Sequence, residues 1–320
     1  MALSAPKIRK AAPAEVLSRR PLKKRLRDQR WLFAMLIPGI VWMIIFCYVP
    51  MYGIAMAFQD YNILDGVLGS PFVGLENFKI LFSDSTFIQS LKTTLLISFL
   101  KLISGFPAPI LFALFVNEII STKFKKFVQS ATYLPTFLSW VFVVGFTYTF
   151  LDINGPVNNI LVAMGVLKEP YLFMADPNWF LVVVIVQELW KGFGWGSIIY
   201  LANMASLDPQ LYESALMDGC GRFKRMWYIT LPMIKPTIAI LFIMNVAGIL
   251  GSNFDQMYTM GNGFVTDVSN VLSVYSYDKG ITNGQFSLGT AMGLFGSVVS
   301  ILMLVVANYS TKKLTGESYF

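Results

Sequence analysis

The 320-residue chain is 55% apolar and only 13% charged, with a mean hydropathy of +0.60, whereas an average water-soluble domain carries roughly 25% charged residues. A water-soluble fold is excluded by that balance. The chain has no histidine, and its two cysteines, Cys47 and Cys220, lie far apart. The Ser-His triad, a His-ligated metal and a disulfide framework therefore drop out together, and no catalytic or metal residue is assigned.

The net charge of +7 is concentrated at one end. Residues 1–30 hold ten Lys or Arg against Glu15 and Asp28, leaving the rest of the chain at −1. This reads as a basic cytosolic tail that touches anionic lipid, because no aromatic-basic platform for nucleic acid accompanies it. Two regions follow: the tail, 1–30, and a membrane domain, 31–320.

Six apolar stretches, near 31–57, 91–116, 127–151, 179–203, 236–258 and 286–308, each reach the roughly 20 residues needed to cross a hydrocarbon core. The expected fold is all-α and polytopic, with six transmembrane helices. The first stretch follows basic residues and ends at Ala55-Met56-Ala57, but it far exceeds the roughly 7–15 apolar residues of a cleavable signal and is expected to be retained. With the N-terminus inside, inner segments carry nineteen Lys or Arg and outer loops three, Lys79, Lys168 and Lys279, so both termini are expected in the cytosol.

Several spans contain breaker residues: Pro38, the run Gly105 to Pro109, the run Gly192 to Gly196, and Gly248 with Gly251. Broken backbone lining a cavity is one reading. Close helix packing through the spacings Gly192/Gly196 and Gly289/Gly293 is the other.

The longest inner loop, about 204–235, is the most informative segment. Asp208 can cap a helix, Pro209 suits its first turn and Gly219 suits its stop; a second amphipathic piece runs from Arg222 to Ile229 before Leu231-Pro232. Two short helices bent at a glycine would form a rigid knob for a partner's groove. The residues Glu213, Ser214, Ala215, Asp218, Gly219, Ile229, Leu231 and Pro232 resemble the EAA loop of binding-protein-dependent ABC importer permeases. Ser214 stands where the first alanine is usual, and Cys220 where another small residue is usual. Further likeness, in Pro50-Met51-Tyr52-Gly53, Tyr133-Leu134-Pro135 and Asn283-Gly284-Gln285-Phe286, is to the LplB branch of carbohydrate permeases, and within it to those of alginate-type importers.

That resemblance implies the type I ABC importer permease fold and a heterodimer with a second six-span permease. It also implies two ATPase subunits, a periplasmic or extracellular solute-binding protein, a saccharide cargo, and a place in the bacterial inner membrane. No phosphate-binding Gly-x-x-x-x-Gly-Lys-Ser/Thr loop is present, so ATP and Mg would be held by the partner ATPases. A secondary carrier driven by an ion gradient is the alternative, although no internal repeat supports it.

Charge within a span costs roughly 2.5–3.5 kcal/mol on insertion scales, so Lys101, Glu188, Lys191 and Asp255 need partners or a role. Glu188 and Lys191, three apart on one helix, are expected either to pair or to face cargo. Gln187, Glu188, Lys191, Asn245, Asn253, Asp255 and Gln256 form the candidate substrate path. Lys101 and Lys191 could attract a carboxylated sugar, or simply reach an interface or an unseen carboxylate.

Overall fold

The computed structural model describes residues 29–251 and 254–315, so most of the basic tail and Asn253 lie outside the described residues. The described residues fold as helices and turns, with a lone antiparallel bridge between Gln59 and Phe72. Contacts divide the chain into two units, Met1–Ile54 and Ala55–Phe320. The described part of the first is mostly helix α1 (Arg30–Met43), which continues through a wider π-type turn, Ile44–Tyr48. None of these helical residues is buried. A helix apolar all round and uncovered is suited to hydrocarbon, not water.

The second unit is built around one long helix. After α2 (Glu76–Ser83) come α3 (Ser85–Gly105) and α4 (Pro107–Asn117), then α5 (Thr122–Tyr133), α6 (Trp140–Leu151) and α7 (Pro156–Ala163). Helix α8 (Pro177–Ala205) precedes α9 (Pro209–Met217), α10 (Arg222–Arg225) and α11 (Lys235–Ala247). The chain closes with α12 (Phe254–Met260), α13 (Leu272–Tyr277) and α14 (Phe286–Thr315). One half of α8 buries Phe180 and Val184 against Ile97, Val144 and Met257; the other buries Tyr200 and Met204 against Ile110, Leu114 and Met226. Lipid is as apolar as these side chains, so the contacts act through close packing rather than through release of water.

Among the described residues, four helices are long and apolar enough to cross a membrane, and the number rises to six when two bent pairs are each counted as one span. The expected six spans thus have counterparts, with differences that have physical causes. The second begins at Ser85 rather than near 91, because the Asp84 carboxylate accepts the Thr86 N–H at 2.8 Å and caps a polar first turn. The third turns through 97° between 137 and 140, and the fifth through 62° at Ile234. The fifth then ends at Ala247, short of the expected 258, in the turn around Gly248. In contrast, neither the Gly105–Pro109 run nor the Gly192–Gly196 run interrupts its span; Ser85–Asn117 and Pro177–Ala205 each continue through them.

The glycines of α8 are packing sites. A Cβ on Gly194 would lie 2.2 Å from the Thr132 carbonyl oxygen, and one on Gly196 would lie 3.0 Å from Pro109, whereas one on Gly192 would meet nothing within 4 Å. Similarly, Gly289 packs on Gly280, where a Cβ would come within 2.7 Å of its Cα, while Gly293 faces open space. Only one glycine of each expected pair therefore brings helices together.

At the start of the second span, Asp84 gathers a second set of bonds. It accepts the Tyr275 hydroxyl and lies 3.6 Å from the Lys279 ammonium, which sits 5.6 Å from the centre of the Tyr275 ring. The Tyr275 hydrogen bond, helped by the helix cap, holds the Asp84 carboxyl below its usual range, while burial and then Asp84 push the Tyr275 hydroxyl up.

Two outcomes follow. Gly194→Ala should destabilise the detergent-purified protein by about 1–3 kcal/mol through overpacking, and Gly192→Ala should be near neutral, as read from thermal unfolding. Because the folded Asp84 binds its proton less readily than the unfolded chain does, its stabilisation is present above the ordinary carboxylate pKa and lost as pH falls through the lowered value. Melting temperature should therefore drop on acidification below about pH 4 in the wild type, and less steeply in Asp84→Asn.

Candidate functional site

Two places in the second unit bring functional side chains together. The first is a polar chain across four helices. Lys101 of α3 donates to Glu188 Oε2 at 2.9 Å and to Gln256 Oε1 at 2.8 Å. Gln256 of α12 donates to Gln187 Oε1 at 2.9 Å and to the Val184 carbonyl at 3.1 Å, and Gln187 of α8 donates to Thr147 Oγ1 of α6 at 2.6 Å. Gln187 and Gln256 are buried. The Lys101 side chain is 10% exposed and that of Glu188 is 40% exposed. Removal of the ammonium from water is thus compensated by a carboxylate and an amide oxygen, as low dielectric requires.

Beside this chain lies a cavity of about 500 Å³. Lys101 and Glu188 form its charged wall, Ser98 and Asn245 add polar groups, and Phe106, Phe193 and Tyr200 supply aromatic surface. A larger, mainly apolar cavity of about 890 Å³ lies along α13 and α14. At its edge Phe254 stacks on Tyr258 at 5.2 Å, and both meet the Tyr277 ring.

The expected pairing of Glu188 with Lys191 does not form. Glu188 turns to Lys101 on the neighbouring helix, and Lys191 donates instead to the carbonyls of Thr136 at 2.6 Å and Leu138 at 2.7 Å, with Pro135 at 3.4 Å. Its ammonium also lies 5.4 Å from the Trp140 ring centre, and Thr136 Oγ1 donates back to the Lys191 carbonyl at 2.6 Å. The cause is the 97° bend, which leaves the Thr136 and Leu138 carbonyls to be satisfied by a side chain. Of the other substrate-path residues, Asn245 lines the smaller cavity while its amide donates to the Leu241 carbonyl, and Asp255 is exposed. Asn253 lies outside the described residues. Thr147 gave no sequence signal; Lys101 was detectable as a charge within an apolar run.

The second place is the loop from Ser206 to Ile234. Asp208 accepts the Gln210 N–H at 2.9 Å and Pro209 opens α9. At the other end Gly219 has φ +72°. Its N–H reaches the Leu216 carbonyl at 3.0 Å, and the Cys220 N–H reaches Ala215 at 2.9 Å, the two-bond Schellman stop that favours glycine. Ser214 donates to the Gln210 carbonyl at 2.9 Å, so the serine is accommodated within the helix. Glu213 and Asp218 are exposed, while Ile229, Leu231 and Pro232 are half-buried.

Two contacts fasten this loop to the bundle: Met226 is buried beside Ile110, Leu114 and Tyr200, and Arg225 lies 3.9 Å from Glu118, just beyond α4. Those two charged side chains are only 13% and 21% exposed. Within the loop, Tyr212 and Thr230 share a hydrogen bond of 2.9 Å that ties its two arms together. The loop's outward side keeps Met217 88%, Tyr228 78% and Phe223 69% exposed.

A multi-pass helical membrane protein with a glycine-hinged helical pair at one end is the class that these features define. The family described as the binding-protein-dependent transport system inner membrane component matches residues 105–316, and the chain belongs to that family. It is 41% identical over 295 residues to Protein LplB of Bacillus subtilis (strain 168), covering 92% of each. It is 41% identical over 303 residues to the polygalacturonan/rhamnogalacturonan transport system permease protein YteP of the same organism, covering 94% of each. A crystal structure of a bacterial ABC transporter involved in the import of the acidic polysaccharide alginate is similar with TM-score 0.84 and 38% identity, over 92% of this chain and 99% of that one. The chain is thus a permease subunit of a binding-protein-dependent transport system.

The Arg225–Glu118 pair gives a direct test of how the loop is held. Glu118→Gln alone should cost about 1–3 kcal/mol, because it leaves a largely buried guanidinium without its carboxylate. The exchange Glu118→Arg with Arg225→Glu should recover part of the loss in a thermal unfolding double-mutant cycle.

Proposed function

We propose that this chain is the transmembrane subunit of an ATP-driven importer that moves an oligosaccharide or polysaccharide such as alginate, delivered by a solute-binding protein. It would pair with a second six-span permease above two ATPase subunits, which bind ATP and Mg. The reading places it in the bacterial inner membrane, with the basic tail 1–30, the loop at 204–235 and both termini in the cytosol.

The observation that carries this reading is the loop: a capped and hinged helical pair, pinned to the second span from within and presenting large apolar side chains among charged ones on its outer side. An exposed methionine and exposed aromatic residues, Phe223, Trp227 and Tyr228, on a rigid knob suit a groove in another protein. Glu213, Ser214, Ala215, Asp218, Gly219, Ile229, Leu231 and Pro232 would form the coupling element. Closure of the ATPases would draw the knob inward and reopen the bundle toward the binding protein. The family match and the named cargoes of YteP and of the alginate transporter support the saccharide assignment.

Gly219→Leu tests the coupling step. A β-carbon at φ +72° strains the stop by about 1–2 kcal/mol and misplaces the second helix. Uptake should be abolished while membrane insertion persists. Normal transport by this variant, or failure of the wild type to bring down an ATPase and a second permease on purification, would reject the proposal.

A further inference from the structure

We propose that the Lys101–Glu188 pair is an exchangeable carboxylate site, in which a carboxylate on the cargo displaces Glu188 from the Lys101 ammonium. The inference rests on the saccharide-import reading and adds to it the residue that would recognise an acidic sugar.

The two partners are unequally buried. Lys101 keeps 10% of its side chain exposed and Glu188 keeps 40%, so the lysine is the fixed member and the glutamate has a way out. That way leads into the 500 Å³ cavity, whose wall both residues form. Space is available there, since a Cβ on Gly105 or on Gly192 would meet nothing within 4 Å.

Lys101 is oriented from behind, independently of Glu188. The Gln256 amide donates to Val184 and Gln187, which leaves its oxygen directed at the ammonium, and Gln187 is itself held by Thr147. Rotation of Glu188 toward the cavity would therefore leave a preorganised cation with its amide contact intact. An incoming carboxylate restores an ionic partner to Lys101, and no proton need move. Acidic saccharides present such groups along their length.

A buried ion pair adds little net stability over an apolar pair of similar volume. Its placement on a cavity wall, with the anion as the more exposed partner, suits exchange better than support. A neutral sugar gains no ionic contact here, whereas a uronate recovers the one that Glu188 gives up.

The test uses the complete complex purified through this chain, with tetragalacturonate and its fully methyl-esterified form as probes, and measures binding by calorimetry. Wild type should bind the acid more tightly than the ester, but by less than the roughly tenfold of a full added ionic contact, because the new contact replaces the one that Glu188 gives up. Glu188→Gln removes the competing anion and should tighten binding of the acid about threefold or more, which a purely structural pair would not do. The double change Lys101→Gln with Glu188→Gln keeps the site neutral and hydrogen-bonded, and should abolish discrimination between the probes. No binding of the acid, equal binding of both probes, or no tightening in Glu188→Gln would overturn the proposal. Failure here in a complex that assembles, and whose Gly219→Leu variant loses uptake, would leave the importer reading standing.

Discussion

At membrane depth a polar group has no water to turn to, and each one left open costs several kcal/mol. That constraint explains the bonding of Lys101 and Lys191. The turn between α5 and α6 opens the carbonyls of Thr136 and Leu138, and Lys191 closes both from the neighbouring helix. Lys101 faces the converse problem, a cation among apolar helices, and is met by Glu188 and by an amide chain anchored on α6, α8 and α12. The sharp bend and the internal charge are each possible because a second helix supplies the missing partner.

The same constraint concentrates mechanical connections on the second span. Ser85–Asn117 forms one span, in which α3 and α4 are separated only by a one-residue turn at Phe106, with Asp84 capping one end, Glu118 just beyond the other and Lys101 between them. At 1.5 Å per residue, Lys101 and Glu118 lie about 25 Å apart along this span. A shift of the Arg225 loop would therefore be felt at the polar chain through a single span. At the far end, the bonds of Asp84 to Tyr275 and Lys279 connect the span to α13 and the turn after it.

Packing between the helices relies on shape. Apolar contact distinguishes poorly between protein and lipid, so the close approaches fall where a glycine removes a side chain: Gly194 on Thr132, Gly196 on Pro109 and Gly289 on Gly280. Gly192 and Gly293 have the same spacing but face cavities. A cavity-facing glycine and packing glycines thus occur side by side on one helix, with no break in its backbone.

The apolar spans, and the capped and hinged loop at Asp208, Pro209 and Gly219, were legible in the residues because they depend on local rules: hydrocarbon thickness, N-caps and the left-handed stop. Membership of the permease family was legible for the same reason, since its signature lies within one loop. The partners of Glu188 and Lys191 were not legible. On one helix three residues apart they have the spacing of an ion pair, yet each finds a better partner across the bundle, Lys101 in one case and the bared carbonyls of a bend in the other. Sequence spacing reports neighbours along a helix, whereas the stabilisation of a buried charge is decided by whichever polar group the fold brings within 3 Å, and only the tertiary structure contains that information.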